Sequence, residues 1–250
     1  MTSSARLREL RTIWRLVRGQ GRRSSDHGER MESFYAEQAE DYDAFRKRLL
    51  TGRESLLERL EFRGGERVAD LGCGTGSNFE AVPESQRAAL GHWYLVDLSS
   101  SLLNLAQQRI DRLGHDNASV HRADATQWLP DEGVLDVVLL SYSLTMMPDW
   151  LALLEHAERL LRPGGRVAVV DFYVSRKHSD PGLAQHPWMT RSLWPLWFGW
   201  DDVFLCADHL PTLRRRFETL WLAEQRASVP WLPWVTVPVY QFIGASRNAA

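Results

Sequence analysis

A chain of 250 residues, 44% apolar and 25% charged with a formal net charge of -2, is long enough for one α/β domain with a full core and exerts no global pull on nucleic acid. Two cysteines, Cys73 and Cys206, are too few for a disulfide framework or a cysteine-built metal site, so no metal is expected. No stretch approaches the roughly 18 consecutive apolar residues of a membrane span, and no signal-peptide run opens the chain, so a cytoplasmic setting is expected.

In chain order, Leu7, Leu10, Ile13, Trp14 and Val17 follow helical spacing while arginines fill the other face, which predicts a basic amphipathic helix over 6–17. Residues 19–28 are polar and glycine-rich and read as a linker. Helices are expected over 29–48 and 52–60. From residue 66 strands and helices alternate: strand 67–71, helix 78–81, strand 92–97, helix 100–113, strand 119–122, strand 134–140, helix 150–161 and strand 166–172. Repeated βα units imply a parallel sheet covered on both faces. After Val174 the alternation gives way to an insertion rich in tryptophan and proline, and a strand pair near 217–224 and 235–243 closes the sheet. Of 11 tryptophans, Trp188, Trp194, Trp197, Trp200, Trp221, Trp231 and Trp234 fall in the last quarter of the chain.

The first strand runs into Asp70-Leu71-Gly72-Cys73-Gly74-Thr75-Gly76, where small residues allow a sharp turn and a close approach of backbone to ligand. A dinucleotide fingerprint would need glycine at position 77, where Ser77 stands. The D-x-G-x-G-x-G spacing resembles motif one of the class I methyltransferases. That resemblance implies an α/β, Rossmann-like fold: a mostly parallel seven-stranded sheet with helices on both faces and an antiparallel C-terminal strand. It also implies a cofactor, S-adenosyl-L-methionine, whose amino-acid and ribose portions meet the loop Asp70, Gly72, Gly74 and Gly76. Asp97, at the end of the second strand, takes the ribose hydroxyls, with Leu98 beside it. Asp124 matches the acid that accepts from the adenine amino group, with Ala125 beside it. Ser141 and Tyr142 fall in the motif-four region that faces sulfonium and acceptor. The chain then divides into a basic helix and linker (1–28), N-terminal helices (29–62), a cofactor-binding core (63–174), a Trp-rich insertion (175–216) and closing strands (217–245).

Two outer stretches resemble the N-methyltransferases that convert diacylglyceryl-homoserine to the betaine lipid diacylglyceryl-trimethylhomoserine. One holds Tyr42-Asp43-x-x-Arg46 and Leu49-Leu50-x-Gly52-Arg53-Glu54. The other runs from Trp197-Phe198 through His209-Leu210 and Val229-Pro230-Trp231-Leu232-Pro233 to Pro238-x-Tyr240-x-Phe242-Ile243-Gly244. The resemblance implies three successive methyl transfers to one amine of a lipid-linked substrate. Cationic products are better held by aromatic faces than by a carboxylate that would trap them. Tyr142, Tyr173 and Tyr240 are the candidates, with Trp197 a fourth. Tyr42 and Arg53 are expected to close over the cofactor, and Arg191 or one of Arg214, Arg215 and Arg216 to take the acceptor carboxylate.

Seven arginines between Arg6 and Arg23 and the C-terminal tryptophans suit an anionic membrane surface, so a peripheral enzyme is expected. The alternative for the tryptophans is a packed lid over the site. Alternatives for function stay open: a class I methyltransferase for another amphipathic acceptor, such as phosphatidylethanolamine or a quinone precursor, or a membrane-associated cofactor-binding module without catalysis. Oligomeric state is not legible.

Overall fold

The computed structural model describes residues 50–200, 202–229 and 232–247. The expected helices over 6–17 and 29–48, with Tyr42, lie outside the described residues. Strands β1 (Arg67–Leu71), β2 (His92–Asp97), β3 (Ala118–Arg122), β4 (Leu135–Ser141), β5 (Leu161–Phe172), β6 (Phe217–Val229) and β7 (Leu232–Ser246) form one sheet in the order β3-β2-β1-β4-β5-β7-β6. Neighbours from β3 to β5 are parallel, and β7 alone runs against the others, between β5 and β6. The central strands read as near-continuous apolar runs because both faces are covered.

Helices α1 (Arg53–Leu60), α2 (Ser77–Ala81) and α4 (Ser100–Leu113) pack on one face through Leu56, Leu57, Leu60, Phe79, Leu103, Ala106 and Ile110, against Val68, Leu95, Leu139 and Val170. Helix α3 (Glu84–Ala89) leads into β2. The other face is covered by α5 (Trp150–Leu160) and α7 (His209–Arg216), which bury Leu153, Leu154, Ala157, Leu160, Leu210 and Leu213 on Val138, Val169 and Phe242. Each fully buried leucine contributes about 1.5–3 kcal/mol relative to exposure.

The local signals explain the boundaries. Ser99 caps α4 by accepting from the Leu102 N–H at 3.3 Å, and Gly114 ends it in the left-handed region. Asp149 caps α5 through the Ala152 N–H at 3.2 Å. Three helices were not legible in the sequence: α3, α6 (Trp188–Gly199) and α7. Helix α6 hid because it is apolar around most of its circumference and carries Pro195 inside it, so no polar stripe marks its period. The closing hairpin is also longer than expected, and its β6–β7 ribbon runs past the carboxyl end of β5, where Val239 is level with Phe172. No helix among the described residues is long and apolar enough to cross a membrane.

Candidate functional site

The strand order reverses between β1 and β4, and the carboxyl ends of these two strands flank the crevice where open α/β sheets take their ligands. The loop after β1 is tied to β2: the N–H groups of Gly72 and Cys73 donate to the Val96 carbonyl at 2.8 and 3.1 Å. Gly74 N–H donates to Asp97 Oδ2 at 2.9 Å, and Ser99 N–H to Asp97 Oδ1 at 2.9 Å. Asp97 thus shapes the loop from the end of β2. Gly72 has φ 78°, and a Cβ there would stand 2.7 Å from the Ser143 Cβ, so only glycine lets this turn close on the motif-four loop.

Asp70 lies under the loop, fully buried. Its Oδ2 accepts from Asn78 Nδ2 at 2.9 Å, and Oδ1 has no partner among the described residues. Burial pushes its carboxyl from the ordinary 3.8 up to about 7, against the Asn78 hydrogen bond and the charge of Arg53. Across the crevice Ser141 Oγ and Ser143 Oγ are likewise buried without a partner among the described residues. Arg53 reaches the same place from α1, where its Nη1 donates to Ser77 Oγ at 2.6 Å just past Gly76. It gets there because Gly52, at φ 86°, lets the chain lie on Gln241 of β7, where a Cβ would collide with the amide.

At the ends of β2 and β3, Ala123 N–H donates to the Asp97 carbonyl at 3.1 Å. Asp124 is exposed, and its Oδ1 closes the following turn by accepting from Thr126 N–H at 2.8 Å and Thr126 Oγ1 at 2.7 Å. Ala125 is buried behind it, and Leu98 is 42% exposed beside Asp97.

The three expected tyrosines do not meet. Tyr142, at φ 56°, packs its ring on Phe172 at 4.8 Å and donates its hydroxyl to the Thr51 carbonyl at 2.5 Å, on the face shared with Trp194 and Phe198. Tyr173 and Tyr240 sit on the opposite face, edge to face at 5.3 Å. Tyr173 donates to a Glu224 carboxylate oxygen, and burial together with that partner holds its phenol far above the usual range. Tyr240 is fully buried, its hydroxyl without a partner among the described residues, and burial, with Asp171 nearby, raises it well above its ordinary value. The three expected aromatic faces are therefore not brought together: the left-handed backbone at Tyr142 breaks the alternation of β4 and turns its ring away from the face of Tyr173 and Tyr240.

The basic triplet is also misplaced for an acceptor. Helix α7 ends where β6 begins, and Phe217 is level with Ser246, at the amino edge, far from the crevice. There Arg216 pairs with Glu155 at 2.5 Å and Glu158 at 2.9 Å. Arg191 remains, in α6, with a buried Nε that has no hydrogen-bond partner among the described residues.

Sequence reading missed Asp171. At the end of β5 its carboxylate accepts from Thr145 N–H at 3.1 Å, Thr145 Oγ1 at 2.6 Å and its own neighbour Phe172 N–H at 2.8 Å, so it moors the 3₁₀ turn Leu144–Met146 after motif four. Burial lifts this carboxyl to about 7. The signal was an acid inside the run Val169-Val170-Asp171-Phe172, where a charge needs partners. His209 is another: fully buried, edge-on to Trp150 at 4.7 Å, with both ring nitrogens unpartnered among the described residues and desolvation lowering it to about 4. Ser143 carried no signal beyond its neighbours.

This sheet order, the single antiparallel strand and the glycine loop at the reversal point define the Rossmann-like fold of the class I methyltransferases. Residues 68–165 match the family described as "Methyltransferase domain". The chain is 26% identical over 125 residues to a demethylmenaquinone methyltransferase of Geobacillus kaustophilus, covering 50% of this chain and 53% of that one. It is 31% identical over 132 residues to the methyltransferase GfsG of Streptomyces halstedii, covering 52% and 46%. The chain thus spans about half the length of the curated relatives it matches. A phosphoethanolamine N-methyltransferase of Haemonchus contortus, solved with phosphomonomethylethanolamine and S-adenosylhomocysteine, shares the fold at TM-score 0.63 and 13% identity over 86% of this chain and 59% of that one. The cradle suits such a cofactor: orphaned oxygens on Asp70, Ser141 and Ser143 face a turn too tight for any Cβ at Gly72.

Proposed function

We propose that the chain is an S-adenosylmethionine-dependent methyltransferase with an amphipathic acceptor, and that a quinone precursor is the acceptor its relatives favour. The observation that carries the cofactor reading is the closed loop over Asp70, whose spare oxygen and the Ser141 and Ser143 hydroxyls offer partners to a charged amino-acid group. In this reading Gly72, Gly74 and Gly76 let the ligand approach the backbone, and Arg53, beside Ser77, takes its carboxylate. Asp97 accepts from the ribose hydroxyls, and Leu98, Asp124 and Ala125 border the adenine. When bound, S-adenosylmethionine supplies a methyl group on a sulfonium. The chain's task is to hold the nucleophile about 3 to 3.5 Å from that methyl in line with the breaking bond. Tyr142 edges the mouth on one face of the sheet, and Tyr173 with Tyr240 forms a wall on the other.

A second reading, N-methylation of diacylglyceryl-homoserine, is favoured by one observation. The Gly52-Arg53 stretch of the terminal motif lies at the site, through Arg53 on Ser77 and Thr51 under the Tyr142 hydroxyl. An α-amine, with an ordinary pKa of about 7.7 to 8.0, needs no dedicated strong base. The test incubates purified protein with labelled S-adenosylmethionine and detergent-dispersed demethylmenaquinone, diacylglyceryl-homoserine or phosphatidylethanolamine, and weighs the products. One added methyl on the quinone supports the first reading, and up to three on the homoserine lipid the second. No transfer to any of them, with S-adenosylhomocysteine still binding, makes the chain a cofactor-binding module and overturns both.

A further inference from the structure

The face that the Proposed function leaves unused is the outer side of α6. Trp188, Met189, Leu193, Leu196, Trp197 and Trp200 recur at helical spacing along it, and Trp188, Leu196 and Trp200 are 70%, 68% and 69% exposed. The inner side is buried: Trp194 and Phe198 pack at 5.7 Å from one another, and Phe198 stacks on Phe172 at 5.0 Å. Among the described residues nothing covers the other side of this apolar helix, which leaves a contiguous apolar face. Apart from Phe204 just after the helix and Trp234 on β7, the other exposed large apolar side chains among the described residues, Leu98, Leu129, Val134, Leu151 and Leu220, are scattered over separate elements.

We infer that α6 docks on a lipid bilayer and sets the carboxyl edge of the sheet against it, so that an acceptor enters from the membrane past Phe198 and Tyr142. Three observations select a bilayer over other occupants. Helix α6 has no acidic residue and one arginine, Arg191, while its outer side presents tryptophans, which favour the interface between acyl chains and headgroups. Trp234, 79% exposed, lies on the hairpin extension beyond β5, at the same end of the sheet. The opposite end is built of ions, with Arg166 on Glu66 at 2.6 Å and Arg162 on Asp136 at 2.5 Å. The arginines between Arg6 and Arg23 add charge that complements an anionic lipid surface.

The inference deepens the lipid-borne acceptor of the Proposed function, but its test needs no turnover. The whole chain is sedimented with phosphatidylcholine vesicles at about 0.5 M salt, where screening removes the arginine contribution. Wild type is expected in the lipid pellet, and the variant W188S/L196S/W200S is expected to partition at least about tenfold less. S-adenosylhomocysteine affinity, unchanged in the variant, shows that the fold survives. Equal partitioning of the two proteins, or no vesicle binding by wild type, overturns the inference. So does self-association of wild type that the variant abolishes, which would assign the face to a second copy. Failure of methyl transfer in detergent alongside lipid-pelleted wild type overturns the acceptor reading and leaves the docking helix standing.

Discussion

Around the ends of β1 and β2, Gly72, Cys73, Gly74 and Ser99 all spend their N–H groups on Val96 and Asp97. Around β5, β7 and α7, by contrast, Tyr240 and His209 are fully buried with no partner for their polar atoms among the described residues. The backbone of the first region is satisfied internally, and its spare side-chain oxygen, Asp70 Oδ1, lies under a turn with no room for a Cβ. The second keeps unspent hydrogen-bonding capacity in a low-dielectric interior, where it costs stability. The family match ends at residue 165, inside β5, where the second region begins.

The largest expected effect breaks the first region. Gly72→Ala forces a left-handed backbone on alanine and drives its Cβ toward Ser143, which should cost about 2 kcal/mol of stability in chemical denaturation. It should also weaken S-adenosylhomocysteine binding at least tenfold by calorimetry, or about 1.4 kcal/mol. Unchanged affinity would mean that the loop is not where the cofactor lies.

A pH series sharpens the contrast next. Asp70 in the first region and Asp171 between the two both titrate near about 7 in the folded chain, against 3.8 ordinarily. Between about pH 4 and 7 the folded state therefore holds protons that the unfolded state has released. These two carboxyls make stability fall as pH rises through that window, whereas His209, lowered to about 4, works in the opposite sense up to about pH 6.5. Asp171→Asn removes one of the falling contributions and should shift the slope of Tm against pH toward positive values over this window. An unaltered slope would show that Asp171 is ionised in the folded protein.

The smallest effect probes the unspent polar groups. Tyr240→Phe removes a hydroxyl that has no partner, so stability should hold or rise by up to about 1 kcal/mol, with cofactor affinity unchanged. Turnover of the acceptor should fall if that wall meets the acceptor. A loss of cofactor affinity instead would erase the division between the regions.

Much of the fold was legible in the sequence because its signals are local. The βα alternation from Arg67 to Phe172 follows from apolar runs punctuated by capping residues, Ser99 and Asp149 among them, and the ends of β2, α4 and α5 fall within a residue of expectation. The glycine loop was equally local, because its spacing alone rules out the dinucleotide fingerprint. Helix α6 escaped because a helix apolar on both sides has no period to read.

What the sequence by itself determined is the parallel core and the cofactor loop, since both depend on residues a few positions apart. Tertiary structure alone decided the rest. The left-handed backbone at Tyr142 turned its ring to one face, while strand register set Tyr173 with Tyr240 on the other. The register of β6 on β7 carried Arg214, Arg215 and Arg216 to the amino edge. Packing of Trp194 and Phe198 on Phe172 turned the other side of α6 outward. Each outcome depends on which strand lies beside which and in what register, a matter of long-range pairing that short-range spacing does not encode.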